Sequence, residues 1–532
     1  MCESERCYSA KRLSSWVSTF GSGDPVSNEV TLQVIAHIPL QRIVRISGPV
    51  VALAVYFALP NTYFSDGGIV VFTHAGRVTA ALATWMALWW LTEAIDIPAT
   101  ALLPLVVLPL FGAGTIRDVA APYAHDLIFL FMGGFILSIA MQRWRLHRRI
   151  ALVTLSIVGT DPPRIVAGFM IATAGLSLWL SNTATAIMML PIAISVIGMI
   201  SDHSDSGQAD ESDHLAVCLM LGIAYAASIG GVGTIIGSPP NLFLVSYIRD
   251  TLNHDITFLQ WMAMGLPLVI VFLPITWWLL TRHLFPISAP SVGGTNVIRK
   301  AYTALPGLSW AERATLVVFG LAAIAWMGRS WLTGVEIGGV RVLAGLTDAG
   351  ISLTAALSLF LIPARSHTGG ALMQWRDMKG MPWGILLLFG GGMSLAVAIQ
   401  SNGVGEFLGH QAAAWQGLPS WVLIILVTTL IIFLTELTSN TATAATFIPI
   451  IGGIAPGLGV HPYLLIVPAA FAASWAFMLP VATPPNAIVF SSGHVSVTAM
   501  RRAGLWLNLV GICILTVLVQ FIVLPILGVP VS

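Results

Sequence analysis

Residues 180–192 read LSNTATAIMMLPI, and residues 438–450 read TSNTATAATFIPI. Both place Ser, Asn and two Thr in an otherwise apolar neighbourhood, and both reach Pro-Ile at the same distance. The two Ser-Asn-Thr-Ala-Thr-Ala runs begin at Ser181 and Ser439, 258 positions apart. Short polar side chains inside apolar sequence carry a cost in hydrocarbon. The same cluster twice, at matched spacing, points to a duplicated element.

The surrounding composition says what that element is embedded in. Of 532 residues, 56% are hydrophobic and only 9% charged, against roughly 25% charged in a soluble domain. Apolar runs near the roughly 20-residue spanning length recur along the chain, whereas a barrel would need short alternating segments. The chain is therefore read as an all-α polytopic membrane protein whose first partner is the lipid bilayer. A formal net charge of +1 and the lack of a basic tract argue against nucleic acid. Cys2, Cys7, Cys218 and Cys513 have no metal-ligand spacing, and no disulfide framework is expected. No Ser-His-Asp, HExxH or Walker pattern occurs, and His147, His203, His254 and His410 form no ligand set, so no enzyme is expected.

The duplication extends beyond one motif. FMGG at 131–134 and FGGG at 389–392 share the 258-residue offset. GSPPN ending at Asn241 and ATPPN ending at Asn486 lie 245 apart, the difference fitting a longer polar loop at 201–214. The expected organisation is a polar cytoplasmic arm (1–42) without a signal-peptide pattern, a first transmembrane helix (43–75), repeat 1 (76–283), a cytoplasmic linker (284–311) and repeat 2 (312–528). Each repeat holds a re-entrant hairpin, about 165–200 and 420–455, and a broken helix, about 215–248 and 463–490. That gives about 11 transmembrane helices plus two hairpins. Five crossings per half make the repeats inverted. With the N-terminus cytoplasmic and the C-terminus extracytoplasmic, 19 Lys and Arg fall inside and 5 outside, in the sense of the positive-inside rule.

Interrupted apolar segments at corresponding places of two halves mark a transporter binding site. A tip deep in a membrane must be buried in protein or line a wet cavity. Helices restarting after each tip offer free N–H groups and a positive dipole end to an anion. Helices ending before it offer carbonyls to a cation. Asn182 and Asn440 suit a shared role, giving the amide oxygen to a cation and NH2 to a carboxylate. Ser177 and Thr435 lie one turn before Ser181 and Ser439, where their oxygens can complete a hard-cation shell. The Pro-Pro pairs remove N–H donors. They free the carbonyls of Gly237 and Ala482 and set the Ser238 and Thr483 hydroxyls beside the anion. One Ser-Asn-Thr in a membrane helix is ordinarily interhelical glue; two copies, each followed by a Pro-Pro-Asn break, are not. FMGG and FGGG read as close-packing sites, Glu93 and Asp96 as helix-end residues, and the basic 143–149 cluster as an interfacial anchor. Glu436 reads equally as structural or as coupling.

At WWLTEAIDIPATALLPL from Trp89, LSLWLSNTATAIMMLPI from Leu176, ASIGGVGTIIGSPPN from Ala227, FLTELTSNTATAATFIPI from Phe433 and FMLPVATPPNAIVF from Phe477, the sequence resembles the divalent anion/sodium symporter family. The likeness is greatest to bacterial sodium-coupled C4-dicarboxylate transporters and runs from about Ile43 to Leu527. It implies a homodimer in the inner membrane, with scaffold and transport domains working as an elevator. It carries one sodium (Na+) site onto Ser177, Ser181, Asn182 and Gly237, and another onto Thr435, Ser439, Asn440 and Ala482. It places the dicarboxylate on Asn182, Thr183, Asn440 and Thr441, with Ser238, Thr483 and Pro484 beside it. The expected function is sodium-driven symport of a succinate-, malate- or fumarate-like dianion. A sodium-independent exchanger and a citrate or sulfate carrier remain open; a passive channel would need an open pore.

Overall fold

The computed structural model describes residues 25–529 except 66–67, 159–160, 202–208, 288–302, 304, 338 and 366–368. Most of the arm and of the inter-repeat linker, with Cys2, Cys7 and His203, lie outside the described residues. The first helix runs Pro25–Ala58, so it starts within the expected arm and stops short of 75. An antiparallel ribbon follows, Thr62–Ser65 on Gly68–Val71, with Thr62 paired to Val71.

The two halves then repeat one order of elements. Asp126–Arg143, the interfacial Leu146–Val158 and the hairpin Pro162–Ser177 with Asn182–Ser201 are matched by Trp383–Ser401, Val404–Ala412 and Ser420–Thr435 with Asn440–Ile454. Broken helices follow: Ala209–Gly231 with Pro239–Leu252, and Tyr463–Ala473 with Pro484–Phe490. Each half closes on a long helix ending in a π turn, at Leu279–Leu284 and at Val519–Val523. Seven helices among the described residues are long and apolar enough to span a membrane, with five shorter apolar helices beside them. That is fewer than eleven long spans: Ile97–Leu110, Asp348–Leu361 and Tyr463–Ala473 fall among the shorter apolar helices.

Local chemistry sets the interruptions. Ser238 (φ −141°, ψ 138°) and Thr483 (φ −140°, ψ 150°) are both extended, as a residue before proline should be. The prolines then fill the first helical positions, where an N–H would lack a partner anyway. Glu93 caps one helix in the left-handed region (φ 48°), and Asp96 starts the next. Gly133 meets the Ser352 backbone and Gly391 that of Ala101, contacts that leave no room for a Cβ.

The repeats interlock through their broken ends. Pro484–Phe490 packs on Asn182–Ser201 and Ala209–Gly231, while Pro239–Leu252 packs on Asn440–Ile454 and Tyr463–Ala473. Each half thus places its second broken segment on the other half's hairpin. Buried aromatics fill the space behind: Phe272 lies 4.5 Å from Trp475, and Trp261 5.4 Å from Phe471, between ring centres. Large apolar side chains such as Phe57, Ile157, Leu321 and Leu357 face outward.

Candidate functional site

Two constellations of matching geometry stand at the tips. The Ser177 hydroxyl lies 2.6 Å from Asn182 Oδ1 and 2.8 Å from the Ala227 carbonyl. The Thr435 hydroxyl lies 2.8 Å from Asn440 Oδ1 and 3.2 Å from the Ala473 carbonyl. A hydroxyl has one proton and donates to one of these oxygens at a time. Three oxygens with a single proton among them leave lone pairs in excess, which suits a small hard cation.

Gly237 belongs to the first constellation. A Cβ there would lie 2.5 Å from the Gly231 carbonyl oxygen and 2.9 Å from that of Ser177. A Cβ on Gly231 would lie 2.5 Å from Asn182 Oδ1. Ser177, Asn182, Gly231 and Gly237 are therefore close neighbours, and no larger residue fits at the two glycines. At the breaks, the Gly237 N–H donates to Thr234 O at 3.3 Å and the Ala482 N–H to Leu479 O at 3.2 Å.

The remaining candidates sit in the restarted helices. The Ser181 hydroxyl accepts the Ala184 N–H at 3.3 Å. Ser439 is the extended N-cap of its helix. Thr183 and Thr441 are half-buried in the first turns. Ser238 and Thr483 are buried with their hydroxyls engaged: Ser238 pairs with Ser474 at 3.1 Å, and Thr483 accepts the Asn486 N–H at 3.3 Å. Pro484 is exposed.

Two features of the site were not among the sequence candidates, and a third had its role left open. Asn241 donates its NH2 to the carbonyls of Gly231 and Thr234, at 2.9 and 2.8 Å. Asn486 does the same to Ala476 and Leu479, at 3.2 and 3.0 Å. Each Asn straps the unwound stretch behind it, and its place after Pro-Pro in both copies was the available signal. The third feature is Glu436, buried at 3% exposure. Its carboxylate accepts the N–H groups of Phe477 (2.7 Å), Met478 (2.9 Å) and Leu479 (3.2 Å), and the Asn508 NH2 (2.7 Å). All partners are donors, so the group is held as an acceptor-only carboxylate. It fixes the second break. Leu178 occupies the equivalent position in the first repeat.

With this geometry in place, comparison with known proteins gives the family. The model of the sodium:sulfate symporter transmembrane region matches residues 40–527. A sodium-dependent dicarboxylate transporter, SdcS of Staphylococcus saprophyticus subsp. saprophyticus, is 39% identical over 491 residues, 92% of each chain. The chain belongs to the divalent anion/sodium symporter family. A second relative, the sodium-dependent dicarboxylate transporter SdcS of Staphylococcus aureus strain MRSA252, is 40% identical over 460 residues, covering 86% of this chain and 88% of that one. The crystal structure of the Alcanivorax borkumensis YdaH transporter shares the fold, with a TM-score of 0.57 at 14% identity over 91% of this chain and 98% of that one.

Proposed function

We propose that this divalent anion/sodium symporter carries a C4-dicarboxylate of the succinate, malate or fumarate class across the bacterial inner membrane, coupled to sodium. The observation that carries the reading is the matched pair of oxygen clusters, Ser177–Asn182–Ala227 and Thr435–Asn440–Ala473. The names of the two relatives support sodium as the ion and a dicarboxylate as the substrate. Sodium is assigned to Ser177, Ser181, Asn182 and Gly237 in one half and to Thr435, Ser439, Asn440 and Ala482 in the other. The dianion is assigned to the amides of Asn182 and Asn440, the hydroxyls of Thr183 and Thr441 and the helix N-termini behind them. Ser238, Thr483 and Pro484 shape the outer part of that site.

Neither tip contains Lys or Arg. Bound sodium and helix dipoles must then offset the two negative charges, so each ion raises the other's affinity. Hairpins and broken helices travel as one body against the remaining helices, the elevator arrangement, in a homodimer with a cytoplasmic N-terminus.

Uptake of labelled succinate into proteoliposomes tests this. An inward sodium gradient should raise the initial rate at least about tenfold over choline, the effect of about 1.4 kcal/mol of coupling. Equal rates in the two buffers overturn sodium coupling and leave an exchanger. Competition by succinate, citrate, sulfate and glutamate decides the substrate; strongest competition by sulfate or citrate overturns the C4 assignment.

A further inference from the structure

The turn at 143–149 carries cations that the transport reading does not use. Arg143 pairs with Asp377, and the Trp144 indole N–H donates to the Leu372 carbonyl at 3.0 Å. These bonds seat the 372–380 stretch of the second repeat on the 143–149 turn of the first. Arg145, Arg148, Arg376 and Lys379 are all exposed there. Among the described residues, none of the four has a carboxylate within ion-pair distance. Asp377 is already held by Arg143, and Arg376 is near enough to Arg143 for their like charges to repel. Arg145 is held at φ 56°, a conformation disfavoured for a residue with a Cβ. Trp375, beside Arg376, is 73% exposed. The apolar segment Ile116–Arg143 ends at this turn, so the cluster directly follows a helix long and apolar enough to span a membrane.

We propose that the 145–148 and 375–379 stretches together bind the headgroup of an anionic phospholipid, with Trp375 lying against the glycerol and upper acyl region. Guanidinium forks take phosphate oxygens two at a time. Lys and Arg side chains are drawn to an anionic leaflet, and four of them stand together here. An exposed Trp at headgroup depth is the usual interfacial anchor. It favours a lipid over a free phosphate, which would leave that ring in water. The site holds whichever anion is transported, because it touches neither tip.

The test uses detergent-purified full-length protein and native mass spectrometry. Phosphatidylglycerol, phosphatidylcholine and glycerol 1-phosphate are titrated separately and in competition. Phosphatidylglycerol should give a saturable adduct, one per protomer, at least about tenfold tighter than phosphatidylcholine, the equivalent of about 1.4 kcal/mol. R376A/K379A and R145A/R148A should each lose that preference. R501A/R502A, which removes the same charge from exposed positions elsewhere, should keep it. Equal binding of the two lipids, or equal loss in R501A/R502A, overturns the site. Full displacement by glycerol 1-phosphate overturns the lipid assignment.

Discussion

Asn182 and Asn440 each place an amide oxygen within hydrogen-bond distance of a hydroxyl one turn back, and that pairing is the smallest unit of the proposed chemistry. Asn182→Ala removes the oxygen and leaves Ser177 to bond Ala227 alone. The sodium concentration for half-maximal uptake should rise by about ten- to a hundredfold, the loss of one ligand worth about 1.4–2.8 kcal/mol. An unchanged sodium dependence would take Asn182 out of the cation shell. Glu436 differs in kind, because its oxygens face only donors. Glu436→Gln presents an NH2 group to backbone N–H groups and strips the charge from several short bonds. A loss of about 2–4 kcal/mol is expected, read as an earlier thermal transition of the detergent-solubilised protein. An unshifted transition would mean the second break holds itself. Asn182 and Asn440 were legible in the sequence because their neighbours repeat. The role of Glu436 was not, since its donors lie 41–72 residues further along the chain and its counterpart is a leucine.

At the scale of elements, the hairpins and breaks were legible for one reason: proline and short polar side chains interrupt a helix in a way that needs no tertiary information. Helices Pro162–Ser177 and Asn182–Ser201, and Ser420–Thr435 and Asn440–Ile454, flank the two Ser-Asn-Thr runs. The ribbon at 62–71 was missed because its two strands are only four residues each. The exchange of broken ends between halves was invisible too, since nothing local says which hairpin a segment will meet. Leu146–Val158 shows how packing changes a residue on an interfacial element. Burial lowers the pKa of His147 below its ordinary 6.5, against the opposing effect of its bond to the Met141 carbonyl at 3.1 Å, and Arg148 and Arg145 add to the lowering. The folded state thus prefers the neutral ring. Its contribution to stability is complete above pH 6.5 and is lost as pH falls below it, at no more than about 1.4 kcal/mol per pH unit for one proton. Melting of the wild type between pH 7.5 and 5 should show this loss, and His147→Gln should flatten it. Equal slopes would assign the acid sensitivity to other groups.

For the whole molecule, duplication with interlocked ends joins each repeat to the other. The order of elements was readable from three ordered landmarks, and the charge bias supplies an orientation. That orientation puts Arg145 inside and Arg341 outside. In a background lacking native cysteines, an impermeant thiol reagent applied to intact cells should label Arg341→Cys and spare Arg145→Cys; the reverse pattern would invert the topology. The matched halves differ in charge at Glu436 and Leu178, and that difference has an electrical consequence. In the elevator reading, Glu436 travels with the second break, so the emptied carrier takes this fixed negative charge across the membrane with it. A unit charge moved through the whole potential experiences about 2.3 kcal/mol per 100 mV. With the cell interior negative, the emptied carrier and its fixed anion are pushed back toward the outer face. The resting voltage would then help to reset the emptied transporter.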